Sequence, residues 1–189
     1  MPRQIRIATW NLNRLPKNSG KKQPILDQMD IISPDIWVLT ETHESFSPGT
    51  DYTLIARTTS ASDLTEEECW TAIWSKVPAE LVEVRADSQR MTAMRTKEER
   101  GILVIGTVLP WMNDSQRPPL GAAGFCQTLR EQSTDWLRLK ESQPWAGWCV
   151  AGDFNQDLRS SGHFYGTWQG REELRHVLQR LNLVCLTGG

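Results

Sequence analysis

Asp153 and Asn155 are the residues with the most evident chemistry in this chain. They stand two apart in Gly152-Asp153-Phe154-Asn155, directly after the apolar run Trp148-Cys149-Val150-Ala151. In an extended backbone, side chains two apart point to the same face. A strand ending this way delivers one carboxylate and one carboxamide at its tip. The carboxylate can orient or deprotonate a water, and the carboxamide can hold a phosphoryl oxygen or the water itself. Asn11 and Asn13 repeat the spacing in Trp10-Asn11-Leu12-Asn13, after the strand-like Ile5-Arg6-Ile7-Ala8-Thr9. Glu41 follows Ile36-Trp37-Val38-Leu39-Thr40. A carboxylate at the end of such a run is costly unless it is paired or holds a cation. A hard cation such as Mg²⁺ takes one or two carboxylates together with water and phosphate oxygens.

Blander explanations exist for each segment. Gly-Asp and Asn are common turn formers, so Asp153 and Asn155 also fit an Asx-type turn, and Asn11 and Asn13 also fit turn or capping positions. A calcium loop fits only at its start. Asp153-x-Asn155-x-Asp157 opens that pattern, but its sixth position is Leu158 instead of Gly and its twelfth is Phe164 instead of Glu.

These residues need strands to carry them, and the hydrophobic pattern supplies candidates. Residues 3–9 alternate as a strand does. Ile25, Leu26, Met29 and Ile32 follow helical spacing, and Ser33-Pro34 stops that helix. Ile36 to Thr40 reads as a strand buried on both faces. Tyr52 to Ala56, Cys69 to Ser75, Leu81 to Arg85, Gly101 to Leu109 and Trp148 to Ala151 are further strands, and Leu183 to Leu186 is a short last one. Ser88 to Arg100 is polar and reads as a solvated loop or hairpin. Helices are expected near 125–141, carrying Phe125, Leu129, Trp136, Leu137 and Leu139, and over Arg171 to Leu181. Strands and helices interleave throughout, so the class is α/β or α+β in layers.

Composition narrows the field further. The chain has 189 residues, enough for one domain with a substantial core. With 39% hydrophobic and 23% charged residues it is globular rather than disordered. Its net charge of −2 offers no electrostatic case for tight non-specific binding to nucleic acid. Tryptophan is abundant at nine, and several, Trp37, Trp70, Trp74 and Trp148, sit in apolar runs and read as core and strand packing. The four cysteines form no CxxC pair, which argues against zinc or a redox motif, and Cys149 and Cys185 sit in apolar runs as buried thiols would. With no secretory leader at the N-terminus, a reducing cytoplasm is the expected compartment. No apolar stretch is long enough to span a membrane, and no GxGxxG or GxxxxGK[ST] sequence supports a nucleotide-cofactor enzyme.

Five segments, in order, resemble the endonuclease/exonuclease/phosphatase superfamily, which includes DNase I-like nucleases, abasic-site endonucleases, inositol polyphosphate phosphatases and sphingomyelinases. They are Ile7-Ala8-Thr9-Trp10-Asn11-Leu12-Asn13, Asp35 to Thr42, Thr71-Ala72-Ile73-Trp74-Ser75, Leu103 to Pro110, and Val150 to Asn155. The resemblance implies a single α/β domain over 1–189, a four-layer sandwich of two packed mixed β-sheets flanked by helices, with the site at one edge. It also implies roles. Glu41 resembles the metal-binding carboxylate, and Asn11 the amide supporting metal or phosphate. Asp153 resembles the residue that orients or activates the attacking water, and Asn155 the residue that binds the scissile phosphate. Asn13 stands where some members place an acidic metal ligand. The implied cofactor is Mg²⁺ or Mn²⁺, and the implied reaction is in-line attack of water on a phosphate ester, nucleic acid included. No membrane or protein partner is evident. Arg90, Arg95, Arg100, Arg159 and Arg171 are candidate basic residues for a nuclease.

The chain departs from the family pattern at two places. Members often carry His or Tyr near the end of the middle strand, where this sequence has Thr107-Val108-Leu109-Pro110, with the Thr107 hydroxyl as a candidate contact. The family also continues, past the position of Leu186-Thr187, to an Asp-His pair and a last strand with Ser-Asp-His. None of the histidines here, His43, His163 and His176, stands in an Asp-His pair. His176 reads as a surface residue and His163 as a loop residue, while His43 is the best placed of the three near Glu41. The expectation is therefore a C-terminally truncated domain, less stable and catalytically impaired. The competing expectation is a non-catalytic member of the same fold acting as a binding domain.

Overall fold

The computed structural model describes residues 4–16, 18–59, 61, 64–65, 67–114, 120–158 and 165–187. In chain order the elements are β1 (Ile7–Asn11), α1 (Lys22–Ile32), β2 (Ile36–His43), β3 (Thr53–Arg57), β4 (Glu68–Ser75), β5 (Ala79–Val82), β6 (Met91–Thr96), β7 (Ile102–Val108), α2 (Ala122–Ser142), β8 (Gly147–Asp153) and α3 (Trp168–Arg180). They form two mixed four-stranded sheets, ordered β1-β2-β4-β3 and β5-β6-β7-β8. β1 runs parallel to β2 and β8 runs parallel to β7. The remaining pairings are antiparallel.

Strand periodicity sorts the side chains into three apolar layers. Ile36 and Val38 of β2 meet Met94 and Val104 of the other sheet, and this cluster fills the space between the sheets. The alternate residues of β2, Trp37 and Leu39, face the other way and pack with Met29 of α1. Met91, Ala93, Leu103 and Ile105 pack with Phe125, Leu129 and Trp136 of α2 and with Leu174 and Val177 of α3. The order helix, sheet, sheet, helix is the four-layer α/β sandwich anticipated above.

Close approach of the two sheets is permitted at Gly106. A Cβ there would lie 2.7 Å from Thr71 Cγ2 and 3.1 Å from Val38 Cγ1, both across the inter-sheet space. Neither β-branched neighbour can swing away without losing its own packing. Gly106→Ala is expected to cost about 1–3 kcal/mol through overpacking. Urea unfolding of the two proteins checks this.

Three readings from sequence need correction. Ser88 to Arg100 is not a solvated loop throughout, because it contains β6, an interior strand of its sheet. Its charges cluster in the following turn, Lys97 to Arg100, and Arg90 folds inward, so overall polarity concealed a buried strand. Leu183 to Leu186 is not a strand. It follows α3 as irregular chain, the Leu183 N–H donating to Leu178 O, with Val184 and Leu186 exposed. Cys185 is exposed rather than buried, and Cys149 is only partly buried. Burial pushes the Cys69 thiol up to about 12 and raises those of Cys126 and Cys149, so none of the three is a thiolate nucleophile near neutral pH.

β1 and β8 each occupy the end of their sheet's order. A largely apolar groove of about 1020 Å³ runs along both, past Ile7, Val150, Leu178 and Leu183, and reaches Asp153 and Asn155 at one end. No helix among the described residues is long and apolar enough to cross a membrane.

Candidate active site

The polar cluster forms because two parallel pairs end at the same place. In the register of β1 with β2, Asn11 stands beside Thr40, so Glu41 follows directly at the neighbouring strand end. In the register of β7 with β8, Asp153 stands beside Val108. The facing of the sheets then brings the ends of β1 and β8 together across the sandwich.

Asn11 is the centre of the cluster. Its Nδ2 donates to Glu41 Oε1 at 2.9 Å and to Asp153 Oδ2 at 2.7 Å. Its Oδ1 accepts the backbone N–H of Asn13 at 2.7 Å. Both ends of the carboxamide are thereby fixed, and its two amide protons hold two carboxylates from different sheets. Asp153 also accepts the Asn155 backbone N–H at Oδ1, 2.9 Å away. Asn155 Nδ2 donates to Leu109 O at 2.9 Å, and the Leu109 N–H donates to the main-chain carbonyl of Asp153 at 2.9 Å. Asp153 and Asn155 are thus tied to the strand end that follows β7.

Backbone conformation at the cluster is unusual. Among the described residues, the non-glycine positions with positive φ are Asn13, Arg14, Ser33, Glu41, Asn155 and Asn182, and four of these six belong to the cluster or adjoin it. Left-handed backbone costs roughly 1–2 kcal/mol per non-glycine residue and concentrates where the surrounding structure over-determines it, commonly at functional sites. At Glu41 the consequence is a change of direction at the end of the apolar run. The Glu41 carbonyl accepts the Arg14 N–H at 2.8 Å, which locks the two strand ends together.

Every site residue expected from sequence therefore lies at this cluster. Asn11, Glu41, Asp153 and Asn155 are joined through side-chain hydrogen bonds. Asn13 joins through its backbone N–H, with its side chain exposed. Among the described residues neither Glu41 nor Asp153 is ion-paired, although each lies within hydrogen-bond distance of the same amide nitrogen. Glu41 and Asp153 are the carboxylates that would hold a hard cation here, and such a cation would offset their like charge. No group of three or more His, Cys, Asp or Glu able to hold a metal occurs among the described residues. The donor set is two carboxylates with amides, which suits Mg²⁺ or Mn²⁺ keeping most of its own water better than zinc.

The Thr107 hydroxyl faces away from this cluster. It is fully buried and donates to Gln132 Oε1 of α2, and Gln132 Nε2 donates to Asp87 Oδ2 at 2.9 Å. That network ties the helix layer to sheet and loop and leaves Thr107 no part in phosphate contact. His176 is exposed, as expected, and His43 is partly buried at the end of β2. His163 and Arg159 lie outside the described residues.

The proposed basic residues fare unevenly. Arg95 pairs with Glu80, and Arg171 is buried on α3 against the Trp168 ring. Arg100 stands in the turn before β7, at the opposite end of that strand from Leu109. Arg90 is near the cluster, but it is buried and paired with Asp114, and its guanidinium lies 4.5 Å from the centre of the Trp70 ring. Sequence reasoning missed Arg14 and Trp111. Arg14 directly follows Asn13, and its guanidinium stacks 4.6 Å from the centre of the same Trp70 ring. Trp111 stands two residues beyond Leu109. Adjacency to Asn13 and to Pro110 was the only signal available for either.

No family model and no curated protein sequence matches the chain. Solved structures do match in fold. The endonuclease domain of TRAS1, a telomere-specific non-LTR retrotransposon, superposes with a TM-score of 0.63 at 12% identity, over 98% of this chain and 76% of that one. An AP endonuclease from Archaeoglobus fulgidus gives 0.60 at 18% identity, over 94% and 71%. Beta toxin from Staphylococcus aureus gives 0.62 at 17% identity, over 92% and 71%. The chain thus shares the fold of these proteins, a DNase I-like α/β sandwich.

Proposed function

We propose that this single domain is a divalent-metal-dependent phosphoesterase that hydrolyses phosphodiester bonds by in-line attack of water. The observation that carries the reading is the Asn11 carboxamide held between Glu41 and Asp153, two carboxylates without a cationic partner among the described residues. A fold shared with two endonucleases supports it. Mg²⁺ or Mn²⁺ bound beside Glu41 would polarise a phosphoryl oxygen and steady the departing one.

The chain's own residues do the rest. Asp153 accepts one hydrogen bond at each carboxylate oxygen, which fixes its plane and leaves a lone pair on each for a water proton. It orients that water and takes its proton as the new oxygen–phosphorus bond forms. The opposite phosphorus–oxygen bond breaks, the leaving alkoxide takes a proton from solvent water to depart as an alcohol, and Asp153 returns its proton to solvent. Asn155, anchored to Leu109 through one amide proton, offers the second to a phosphoryl oxygen. Asn11 holds both carboxylates in place, and Asn13 holds Asn11. The four free cysteines fit a reducing, cytoplasmic compartment.

A catalytic site and a non-catalytic binding domain differ in cation affinity. Mn²⁺ titration followed by electron paramagnetic resonance is expected to find bound Mn²⁺ in the wild type and at least about tenfold weaker binding in Glu41→Gln. Absence of Mn²⁺ binding by the folded wild type contradicts the phosphoesterase reading and favours the binding domain.

A further inference from the structure

A ladder of alternating cations and indoles borders the site. Arg14 lies over the Trp70 ring at 4.6 Å, Arg90 lies over the same ring at 4.5 Å, and Arg90 is 5.6 Å from the Trp111 ring. Trp70 and Trp111 themselves are 5.8 Å apart, tilted by 49°. Trp70 and Arg90 are buried, at 1% and 2% exposure, whereas Arg14 and Trp111 are partly exposed. The inner rungs thus form a fixed support, and the outer residues reach solvent.

Trp111 is held firmly and close to the chemistry. Leu109, two residues before it, is bonded to both Asp153 and Asn155. After it, the Asp114 N–H donates to the Trp111 carbonyl at 3.1 Å, and buried Asp114 pairs with Arg90. A buried ion pair is a poor source of net stability but a good one of fixed geometry, since separating it leaves a charge unpaired in the interior. Here it pins the Trp111 turn against Arg90. On the other side the Arg14 backbone is held by its N–H donating to Glu41 O.

An anchored, partly exposed indole next to a phosphate-cleaving centre suits a flat aromatic group attached to the scissile phosphate. Inositol and glycerol esters offer no such group, whereas a nucleotide does. Electrostatics favours the same conclusion. With a net charge of −2 the chain offers no electrostatic case for tight non-specific binding to nucleic acid, and Arg90 and Arg95 are already paired. Stacking contributes about 1–3 kcal/mol per base and does not depend on net charge. A base within a duplex is already stacked, so the base on Trp111 must be unpaired.

We propose that Trp111 is a base-stacking residue, and that the substrate is a nucleic-acid strand whose base beside the scissile phosphate is unpaired. This rests on the phosphoesterase reading for the word substrate, but not for the binding itself. The test is fluorescence-anisotropy binding of a labelled oligothymidylate and of an abasic oligomer with the same sugar-phosphate backbone, in the presence of EDTA. Wild type is expected to prefer the base-bearing oligomer by about tenfold, the preference to fall below about twofold in Trp111→Ala, and most of it to survive in Trp111→Phe. Equal binding of the two oligomers by wild type, binding of neither, or a preference that persists in Trp111→Ala overturns the proposal. Trp111→Phe and circular dichroism guard against a variant that merely unfolds. A Trp111-dependent preference in a protein that cleaves no phosphodiester leaves the stacking site standing and removes the phosphoesterase reading instead.

Discussion

Asp153→Asn is expected to lower kcat for phosphodiester cleavage about 10²- to 10⁴-fold, the usual contribution of a positioned general base. The substitution keeps size and shape but not hydrogen-bonding capacity. Asp153 accepts at both oxygens, from Asn11 Nδ2 and from the Asn155 N–H. An ionised carboxylate accepts everywhere, whereas a carboxamide must present its NH₂ to one of the two donors. One bond is therefore lost in either orientation, at about 1–3 kcal/mol of stability. The variant also lacks the charge needed to take a proton from water. Activity should fall much further than stability, and paired measurement of kcat and of urea unfolding separates the two. A fall in kcat of less than about tenfold would mean that another group orients the water.

Gly152→Ala should be the most damaging small substitution near the site, costing about 3–5 kcal/mol, in the range reserved for strain and overpacking together. Gly152 has φ +136°, a conformation L-residues rarely adopt. A Cβ there would stand 2.0 Å from the Thr107 carbonyl oxygen, and backbone cannot rotate aside as a side chain can. Since Thr107 is the register partner of Gly152, the β7–β8 pair must open just before Asp153. The disturbance would reach α2 through the Thr107 hydrogen bond to Gln132. Gly147→Ala, in the same strand, meets only Ile102 Cγ1 at 3.7 Å and serves as the control. It should shift stability by less than about 1 kcal/mol. Similar urea midpoints for the two variants would show that the strand end accommodates a side chain.

The polar cluster was legible in the sequence where polar residues end apolar runs. Asn11, Glu41, Asp153 and Asn155 each follow a strand-like segment, and burial of such a segment forces its polar end to a sheet margin. Which margins meet depends on strand order and on the facing of the two sheets, and neither leaves a local trace. The Asn11 bridge between carboxylates thirty and 142 positions away is accordingly a tertiary fact. The same limit explains Thr107, which alternation places near the strand end but which turns inward to a helix 25 residues later. Arg90 looked like surface charge because its neighbours in sequence are polar. Its actual surroundings, Trp70, Trp111 and Asp114, come from separate segments. β6 was hidden by the charged turn beside it. Leu183 to Leu186 has strand composition, but composition cannot provide a neighbouring strand to pair with.

Cleavage of a single-stranded oligonucleotide and of a bis-aryl phosphodiester, with Mg²⁺ or Mn²⁺ and with EDTA, in wild type and in Asp153→Ala, bears most directly on whether the cluster is a hydrolytic site. Metal-dependent cleavage that disappears in EDTA and in the variant is the predicted result. Cleavage that survives either change, or a folded wild type that binds Mn²⁺ and cuts neither substrate, would contradict it.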